Sequence, residues 1–263
     1  MRRLDFAGKL VVVTGASSGL GREIARRLAY REKADLAIAA RRVQRLDELK
    51  QEIESRCPSR VHVLRADLAD PGGPGALFRD ATALGEVFAL VCSAGITFWG
   101  NTLDASAETC DEMEKVNFSG TRKAAALFLE YFLARGRGAL LTVTSLTAFV
   151  AVPFQNMYAA TKHALQAFME GLAGEYAGRD IVISTFVAGG MVTEMTMKAG
   201  LENPANMDPV RAARIAVEGF KRGKLRIVPG LLYKAAMIAI RLAPRAAVSS
   251  VVRRIYRPPR GRS

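Results

Sequence analysis

The sequence predicts an α/β fold of the doubly wound type, with a mostly parallel sheet of about seven strands and helices on both faces. Short apolar runs alternate with helical segments along the chain, a pattern typical of right-handed βαβ crossovers. The first apolar run ends in a glycine-rich turn that opens a helix. The chain has 263 residues, 50% of them hydrophobic, which is enough to bury one substantial core, and no flexible linker divides it.

Seven segments are predicted as strands from their apolar, β-branched composition. They lie at 10–14, 35–40, 61–65, 87–92, 138–144, 181–187 and 225–228. Ligands of such sheets bind beyond the carboxyl ends of the strands, so we expect the functional site at that edge. We expect one domain over residues 1–229, followed by a basic amphipathic extension over residues 230–263.

A glycine-rich loop, residues 14–21 with the sequence TGASSGLG, joins the first strand to the first helix. Glycine lets the backbone turn tightly and lets a ligand approach, and the helix start offers free N–H groups to a pyrophosphate. A dinucleotide is the natural ligand, so we expect a Rossmann-type fold; a merely tight turn is the alternative. The candidate contacts in this loop are Gly15, Ser17, Ser18, Gly19, Leu20 and Gly21.

A tyrosine and a lysine four residues apart, Tyr158 and Lys162, form a candidate catalytic pair with Ser145 thirteen positions upstream. If residues 156–177 form a helix, this spacing puts the phenol and the ammonium on one face. A cation beside a phenol favours the phenolate, so we expect a lowered pKa for Tyr158 and a role as general acid and base. For such a pair taken alone, surface packing is the alternative.

The TGxxxGxG spacing together with Ser145, Tyr158 and Lys162 resembles the short-chain dehydrogenase/reductase family over roughly residues 8–228. The resemblance implies that Tyr158 exchanges a proton with the substrate oxygen and that Ser145 orients the carbonyl. It implies that Lys162 lowers the tyrosine pKa and holds the nicotinamide ribose. It also implies that Asn117 supports a water-mediated proton relay to Lys162, which completes a set of four catalytic residues.

Two segments depart from the usual pattern of that family. The chain has Cys92-Ser93-Ala94-Gly95 in place of Asn-Asn-Ala-Gly, and Gly189-Gly190 in place of Pro-Gly. We expect both changes to affect cofactor affinity and stability more than catalysis, since glycine in place of proline loosens the backbone. The further cofactor contacts that the resemblance implies are Asp67, Leu68, Ser93, Ala94, Gly95, Gly190, Val192 and Thr193, besides Tyr158 and Lys162.

The residues that follow the second strand, Arg41 and Arg42, favour NADP(H) over NAD(H). A carboxylate at this place would accept a hydrogen bond from a ribose 2′-OH, whereas guanidinium groups bind a 2′-phosphate. Ser17 is positioned to add a hydroxyl contact to the same phosphate. For Arg42, the start of a solvated helix is an alternative interpretation.

Four methionines, Met191, Met195, Met197 and Met207, lie in a segment of about residues 190–210 that the resemblance implies is a substrate lid. Methionine adapts to irregular apolar ligands, although core packing is the alternative for some of these residues. With the apolar residues 149–154, this segment predicts a bulky, apolar or lipid-like carbonyl substrate. No metal is expected, because His62, His163 and the three cysteines lack metal-type spacing.

The formal net charge of +13 is concentrated in the last part of the chain. Glu218 is the last acidic residue, and twelve basic residues follow it, whereas residues 1–218 hold 26 basic and 25 acidic residues. Apolar stretches between these cations predict an interfacial helix over 230–257 on an anionic membrane surface. A helix in an oligomer interface and a disordered end are the alternatives. Nucleic acid is disfavoured because the tail offers only Tyr233 and Tyr256 for stacking.

These observations predict an NADPH-dependent carbonyl reductase, reversible as an alcohol dehydrogenase, that acts on an apolar substrate. An NADP(H)-sensing scaffold without turnover is the alternative. We expect a cytoplasmic protein, peripheral on the inner membrane face, because the chain has no signal peptide and no apolar stretch of the roughly 20 residues that span a bilayer. The resemblance implies a homo-oligomer, a dimer or a tetramer.

Overall fold

A seven-stranded parallel sheet forms the centre of the molecule. The computed structural model describes residues 3–198 and 206–257. The strands are β1 (Leu10–Thr14), β2 (Asp35–Ala40), β3 (Val61–Arg65), β4 (Val87–Cys92), β5 (Gly138–Ser145), β6 (Ile181–Ala188) and β7 (Arg226–Ile227). Their order is β3-β2-β1-β4-β5-β6-β7, and every neighbouring pair is parallel. The predicted fold class is confirmed.

The strand ends differ slightly from the prediction. Strands β5 and β6 each run one residue further, and their last residues, Ser145 and Ala188, pair with each other. Strand β7 is shorter than predicted, although the Leu225 carbonyl still accepts a hydrogen bond from the Thr185 N–H at 2.7 Å. The extra pair places Ser145, the predicted catalytic serine, at the end of β5 and next to Ala188 at the end of β6.

Ten α-helices lie within the described residues. They are α1 (Gly19–Glu32), α2 (Val43–Glu54), α3 (Gly73–Ala83), α4 (Ala107–Glu114), α5 (Thr121–Ala134), α6 (Asn156–Glu175), α7 (Glu194–Lys198), α8 (Pro209–Lys221), α9 (Gly230–Leu242) and α10 (Arg245–Tyr256). A π-helical segment, Lys115–Gly120, lies between α4 and α5, and short 3₁₀ turns lie at Thr102–Asp104 and Leu146–Phe149. None of the helices in the described ranges has the length and apolar character needed to cross a bilayer.

The core has two apolar layers, one on each face of the sheet. Successive side chains of a strand point to opposite faces, so Val11 and Val13 pack on one side and Val12 on the other. Helices α1, α2 and α8 cover the first face, and α3, α5 and α6 cover the second. Both faces are therefore buried, as the continuous apolar strands require.

The strand order reverses between β1 and β4, the two central neighbours. Connections from β1 lead towards β3, whereas the chain from β4 onward leads the other way, so the loops after β1 and β4 diverge and leave a crevice. The glycine-rich loop after β1 and the Cys92-Ser93-Ala94-Gly95 segment after β4 lie at this crevice.

Candidate active site

A cavity of about 780 Å³ opens at the carboxyl ends of the strands. Its volume is within the range typical of ligand sites. Seventeen residues predicted from the sequence line it: Gly15, Ser17, Ser18, Gly19, Leu20, Gly21, Arg41, Arg42, Asp67, Leu68, Ser93, Ala94, Gly95, Ser145, Tyr158, Lys162 and Thr193. The structure thus brings the glycine loop, the arginines after β2 and the three catalytic candidates to one cavity.

The glycine loop packs closely on the segment after β4. Gly15 has φ +69°, and a Cβ at this position would lie 2.7 Å from the backbone of Ala94. Thr14 joins the two segments, since its hydroxyl accepts hydrogen bonds from the Ser93 N–H at 3.2 Å and the Ala94 N–H at 3.4 Å. Thr14 was not predicted as a site residue, and its hydroxyl holds the backbone of the segment after β4 in place.

The start of α1 faces the cavity through Gly19, Leu20 and Gly21. Ser18 is the residue before the helix, and its side chain makes no capping hydrogen bond to the helix backbone. The first N–H groups of a helix carry a partial positive charge and have no partner within the helix, so they favour an anion. This loop and helix start therefore fit the pyrophosphate of a dinucleotide.

The two arginines after β2 have different surroundings. The Arg42 guanidinium donates to the Ser18 hydroxyl at 2.7 Å and to the Ser17 hydroxyl at 3.1 Å, and it pairs with Glu194 at 2.9 Å. Arg41 pairs with Glu112 at 2.6 Å and is half exposed. Arg42 thus lies directly on the glycine loop, which makes it the better placed of the two for a phosphate beside that loop.

The residues after β3 also line the cavity. The Asp67 carboxylate accepts a hydrogen bond from the Ala69 N–H at 2.9 Å, which holds the turn at the end of this strand. Leu68 is buried, and its backbone carbonyl lies so close to Gly120 that a Cβ there would come within 2.0 Å. Both residues line the cavity, as predicted.

The three catalytic candidates come from two elements. Ser145 ends β5, and its hydroxyl accepts a hydrogen bond from the Thr147 N–H at 3.2 Å, which starts the following 3₁₀ turn. Tyr158 and Lys162 lie one turn apart on α6, as the spacing predicted. The Lys162 ammonium donates to the Val143 carbonyl at 3.2 Å and lies 5.7 Å from the centre of the Tyr158 ring.

Burial controls the ionisation of the tyrosine and the lysine. It raises the pKa of Tyr158 to about 12, against a hydrogen bond with Ser145 that lowers this pKa. It also lowers the pKa of Lys162 to about 8. The pKa of Tyr158 is therefore raised, whereas the sequence predicted that it would be lowered. The reason is that the cost of removing the phenolate from water exceeds the effect of the hydrogen bond with Ser145. In this structure Tyr158 is therefore a neutral phenol, which is a proton donor.

Asn117 lies beneath the cavity and does not line it. It is fully buried in the π-helical segment, a distortion that is frequent at functional sites. Its Oδ1 accepts from the Ile96 N–H at 2.8 Å, and its Nδ2 donates to the Ile96 carbonyl at 2.9 Å and to the Thr161 hydroxyl at 3.2 Å. Asn117 thus connects the chain after β4 to the helix that carries Tyr158 and Lys162.

Two other predicted contacts, Gly190 and Val192, also lie away from the cavity lining. Both bond to Met207: the Met207 N–H donates to the Gly190 carbonyl at 2.8 Å, and the Val192 N–H donates to the Met207 carbonyl at 3.3 Å. Of the predicted lid, Met191 and Met195 line the cavity, and Met197 is exposed. Lid residues 199–205, including Gly200, Asn203 and Pro204, lie outside the described residues.

The apolar segment 149–154, which is fully described, contributes none of the cavity-lining residues. Phe149 instead stacks with Arg226 at 5.1 Å, and Val150 and Val152 pack against α10. The expectation of an apolar substrate wall from this segment is therefore wrong. The segment instead forms part of the surface against which α10 packs.

Several cavity-lining residues were missed from the sequence. The main group follows β4 and consists of Ile96, Thr97, Phe98, Trp99 and Gly100; others are Val116, Val143, Thr144, Ala188, Gly189, Glu194 and Thr196. Most of them end a strand or follow one, so the rule that ligands bind at the carboxyl ends of strands could have found them. Among the described residues, no cluster of three or more His, Cys, Asp or Glu side chains could hold a metal ion.

Comparison with known proteins gives one consistent family. The family model described as short chain dehydrogenase matches residues 9–204. Dehydrogenase/reductase SDR family member 7B of Bos taurus is 34% identical over 196 residues, which cover 72% of this chain and 60% of that protein. Galactitol 2-dehydrogenase (L-tagatose-forming) of Cereibacter sphaeroides is 33% identical over 198 residues, covering 74% of this chain and 76% of that protein.

A solved structure extends the likeness over nearly the whole chain. It is a short-chain dehydrogenase from Sphingobium yanoikuyae in complex with NADPH, with a TM-score of 0.82 and 26% sequence identity. The alignment covers 97% of this chain and 98% of that one. The Bos taurus relative is longer, since the match spans only 60% of its length.

Proposed function

Since this chain belongs to the short-chain dehydrogenase/reductase family, we propose that it interconverts a ketone and a secondary alcohol with NADP(H). The observation that carries the proposal is the meeting of Ser145, Tyr158 and Lys162 with the glycine loop in one cavity. A hydride donor bound along that loop and a proton donor on α6 then act on the same carbonyl. The geometry supports a redox site better than a purely nucleotide-binding one, which would need no phenol in the cavity wall.

The proton chemistry belongs to the chain's own residues. Tyr158, held as a neutral phenol by its raised pKa, donates its proton to the carbonyl oxygen in the reduction direction. The Ser145 hydroxyl hydrogen-bonds to the same oxygen and stabilises the charge that develops there. When bound, the nicotinamide supplies the hydride to the carbonyl carbon. Lys162 is buried one helical turn from Tyr158. In this proposal it positions the tyrosine and the ribose of the bound cofactor.

The preference for NADP(H) is supported by Arg42. Its guanidinium donates hydrogen bonds to the hydroxyls of Ser17 and Ser18. Arg42 follows β2, and the ribose of a bound dinucleotide is expected at the end of this strand. A phosphate there would gain charge-assisted hydrogen bonds from one arginine and two hydroxyls. The complex of the Sphingobium yanoikuyae relative with NADPH points the same way.

An apolar carbonyl substrate is supported by four large apolar side chains of the cavity lining. They are Phe98, Trp99, Met191 and Met195. These aromatic and thioether side chains offer broad apolar surface, and methionine adapts to irregular shapes. A sugar would need more hydrogen-bonding groups than this wall provides.

The test is NADPH oxidation by the full chain with a panel of long-chain ketones and 3-oxoacyl compounds. We expect turnover in the wild type and a loss of about 100- to 10,000-fold in kcat for Tyr158→Phe, with NADPH affinity nearly unchanged. The dissociation constant for NADPH is measured by fluorescence titration. Appreciable turnover in Tyr158→Phe would refute the role of the tyrosine. Tight NADPH binding without turnover of any carbonyl would favour a sensing scaffold.

We also propose that residues 230–257 dock the enzyme on an anionic lipid surface. Leu231 and Leu242 on α9 and Ile255 on α10 are 82%, 81% and 67% exposed. The basic residues Lys234, Arg253 and Arg254 are exposed on the same two helices, Arg257 is exposed directly after α10, and no acidic residue follows Glu218. Such a surface suits headgroups that carry negative charge, with apolar side chains entering between them. Arg260 and Arg262 lie outside the described residues.

Vesicle sedimentation tests the docking proposal. The full chain is expected to pellet with vesicles that contain phosphatidylserine and to stay in solution with phosphatidylcholine alone. The double variant Leu231→Ser/Leu242→Ser should lose most of this binding, whereas Leu103→Ser, at a side chain that is 95% exposed on the 3₁₀ turn, should keep it. Equal sedimentation of all three proteins would contradict the proposal. Loss of a dimer or tetramer in the double variant, without vesicle binding by the wild type, would instead assign this surface to self-assembly.

A further inference from the structure

A buried glutamine, Gln166, lies one turn beyond Lys162 on helix α6. Tyr158, Lys162 and Gln166 are spaced four residues apart, so they share one face of this helix. Gln166 is only 3% exposed, yet it is not among the residues that line the cavity. Burying an amide costs free energy unless its polar atoms are hydrogen-bonded, so the partners of Gln166 show which elements it joins.

The amide of Gln166 has partners on both of its polar atoms. Its Nε2 donates to the Glu170 carboxylate at 2.8 Å and to the Thr185 hydroxyl at 3.1 Å, and its Oε1 accepts from the Thr144 hydroxyl at 2.7 Å. A carboxylate only accepts hydrogen bonds, so Nε2 must face Glu170, which leaves Oε1 for Thr144. Glu170 therefore fixes the orientation of the amide.

Thr144 carries this contact to the catalytic end of β5. It is the residue before Ser145 and it lines the cavity. The residue before it, Val143, accepts a hydrogen bond from the Lys162 ammonium through its carbonyl at 3.2 Å. Two successive turns of α6, at Lys162 and Gln166, thus hold the two residues that precede Ser145.

The other partners of the amide tie it to the next two strands. Thr185 of β6 is fully buried, and its hydroxyl donates to the Leu225 carbonyl at 3.3 Å while it accepts from Gln166. The Glu170 carboxylate accepts from Nε of Arg226, on β7, at 2.9 Å. The amide is therefore held from the side of β6 and β7 as well as from β5.

Packing alone does not require this polar cluster. Replacing a buried hydrogen-bonded pair by apolar groups of the same shape is nearly neutral for stability, and Leu165 and Met169, which flank Gln166 on α6, belong to the apolar layer. Hydrogen bonds depend on direction and distance, and a fully paired buried network makes its surroundings rigid. The amide thus fixes α6, which carries Tyr158, against the end of β5, which carries Ser145.

We propose that Gln166 is a positioning residue that sets the distance between the Ser145 hydroxyl and the Tyr158 phenol by holding Thr144. In the proposed reaction both groups hydrogen-bond to one substrate oxygen, so a displacement of either weakens the stabilisation of the charge that develops there. This inference rests on the proposed function, because it concerns the reaction of the same site. Gln166 lies outside the cavity lining, so it acts through Thr144.

The first variant is Gln166→Met, which removes the amide and keeps a similar length and volume. The probe is 2-decanone with NADPH, replaced by another ketone of the panel above where that ketone turns over faster. We expect kcat to fall by about 10- to 100-fold, because a misplacement of about 1 Å costs about 100-fold. The KM for NADPH should change by less than about twofold, since the cavity lining is unaltered. Assays are run well below the unfolding midpoint of each variant.

A double-mutant cycle tests whether Gln166 acts through Thr144. Thr144→Val removes the same hydrogen bond from the side of the strand. The double variant Thr144→Val/Gln166→Met should lose no more of kcat than the larger single loss, since the effects of removing one shared contact do not add. If Gln166→Met does not fold, Gln166→Leu takes its place with the same expected results.

Thr185→Val is the matched control, because it removes the other hydroxyl from the same amide. Thr185 does not line the cavity and is not next to Ser145 in the chain. We expect this variant to unfold at a lower temperature than the wild type and to keep kcat within about twofold, since the bond between Gln166 and Thr144 remains.

Deuterated NADPH distinguishes misplaced reacting groups from other causes of a low kcat. With NADPH deuterated at the nicotinamide C4, the isotope effect on kcat in Gln166→Met should be at least as large as in the wild type. The reason is that misplaced groups slow the transfer of hydride and proton, and not the release of product. A smaller isotope effect would place the loss in another step and would overturn the positioning role.

An unchanged kcat in a folded Gln166→Met or Gln166→Leu protein would overturn the positioning role while leaving the proposed function intact. Additive losses in the double variant would overturn it too, and so would a loss in Thr185→Val equal to that in Gln166→Met. A wild-type chain that reduces no ketone of the panel would overturn the proposed function, and with it the role of Gln166.

Discussion

The guanidinium of Arg42 donates a hydrogen bond of 2.7 Å to the hydroxyl of Ser18, the residue that precedes helix α1. The bond joins the end of β2 to the glycine loop after β1. It places a positive charge beside the free N–H groups of the α1 start, so two features that favour an anion converge on one part of the cavity. The Arg42 contact therefore gives the proposed cofactor preference a specific residue to test.

Replacing Arg42 with alanine should weaken NADPH binding by about tenfold or more, since charge-assisted hydrogen bonds contribute about 1.5 to 3 kcal/mol. NADH binding should change by less than about threefold, because NADH lacks the phosphate. Arg45→Ala is the matched control: Arg45 also pairs with Glu194, at 2.8 Å, but does not line the cavity. Dissociation constants from fluorescence titration decide the matter, and equal losses for both cofactors would contradict the assignment.

Replacing Gly15 with alanine should destabilise the protein strongly. The new Cβ would meet the Ala94 backbone at 2.7 Å, in addition to the cost of φ +69°. Gly8→Ala separates the two effects, because Gly8 has φ +65° with no atom within 4 Å of its Cβ position. We expect about 1 to 2 kcal/mol for Gly8→Ala, from backbone strain alone, and a clearly larger loss for Gly15→Ala. Urea unfolding measures both, and equal losses would show that the loop moves away from Ala94 freely.

Replacing Asn117 with alanine should cost about 2 to 4 kcal/mol of folding free energy. The change leaves the part-buried N–H and carbonyl of Ile96 without their partner and removes the buried bond to Thr161. Asn156→Ala, which removes one exposed hydrogen bond to Thr102, is expected to cost less than about 1 kcal/mol. Thermal and urea denaturation test the comparison; similar losses for the two variants would mean that Asn117 does not hold the two segments together.

The buried Lys162 should make stability depend on pH. Its pKa is about 8 in the folded protein, against a reference value of 10.5. Below about pH 8 the folded protein bears the full cost of burying the ammonium. Between the two pKa values the unfolded chain holds a proton that the folded chain has released, so the free energy of unfolding rises with pH.

Lys162→Met lacks this titrating group. Relative to that variant, the wild type should therefore gain stability from about pH 7 to about pH 9.5, as measured by urea unfolding at each pH. Burial raises the pKa of Cys92 to about 12, which acts in the opposite direction above pH 9, but this cysteine is present in both proteins. A stability difference that stays constant over this range would contradict the lowered pKa of Lys162.

The parts of the site that were predictable share a short-range signal. The glycine loop, the i, i+4 pair of Tyr158 and Lys162, and the apolar strands each depend on residues a few positions apart. Each of these patterns depends on the local backbone conformation. The sequence therefore indicates both the secondary-structure element and the edge of the sheet at which the residues lie. The strand bounds accordingly differ by at most one residue at either end from the prediction.

The parts that were missed depend on residues far apart in the chain. Thr14 braces residues 93 and 94, and Trp99 holds the end of a helix 157 positions later. Gly190 and Val192 do not line the cavity, and the backbone of each forms a hydrogen bond with the backbone of Met207. No local pattern contains these partners, so composition and spacing could not indicate the contacts.

The sequence by itself determined the family, the doubly wound sheet and the identity of the catalytic candidates, because backbone preference and side-chain spacing act over a few residues. The tertiary structure alone decided the direction in which the Tyr158 pKa moves, since burial by distant segments disfavours the phenolate. It also decided what packs beside the start of α6: Val248, Val252 and Tyr256 of α10 cluster with Ala159. That arrangement follows from the packing of whole elements, which buries apolar faces wherever the completed fold offers a partner.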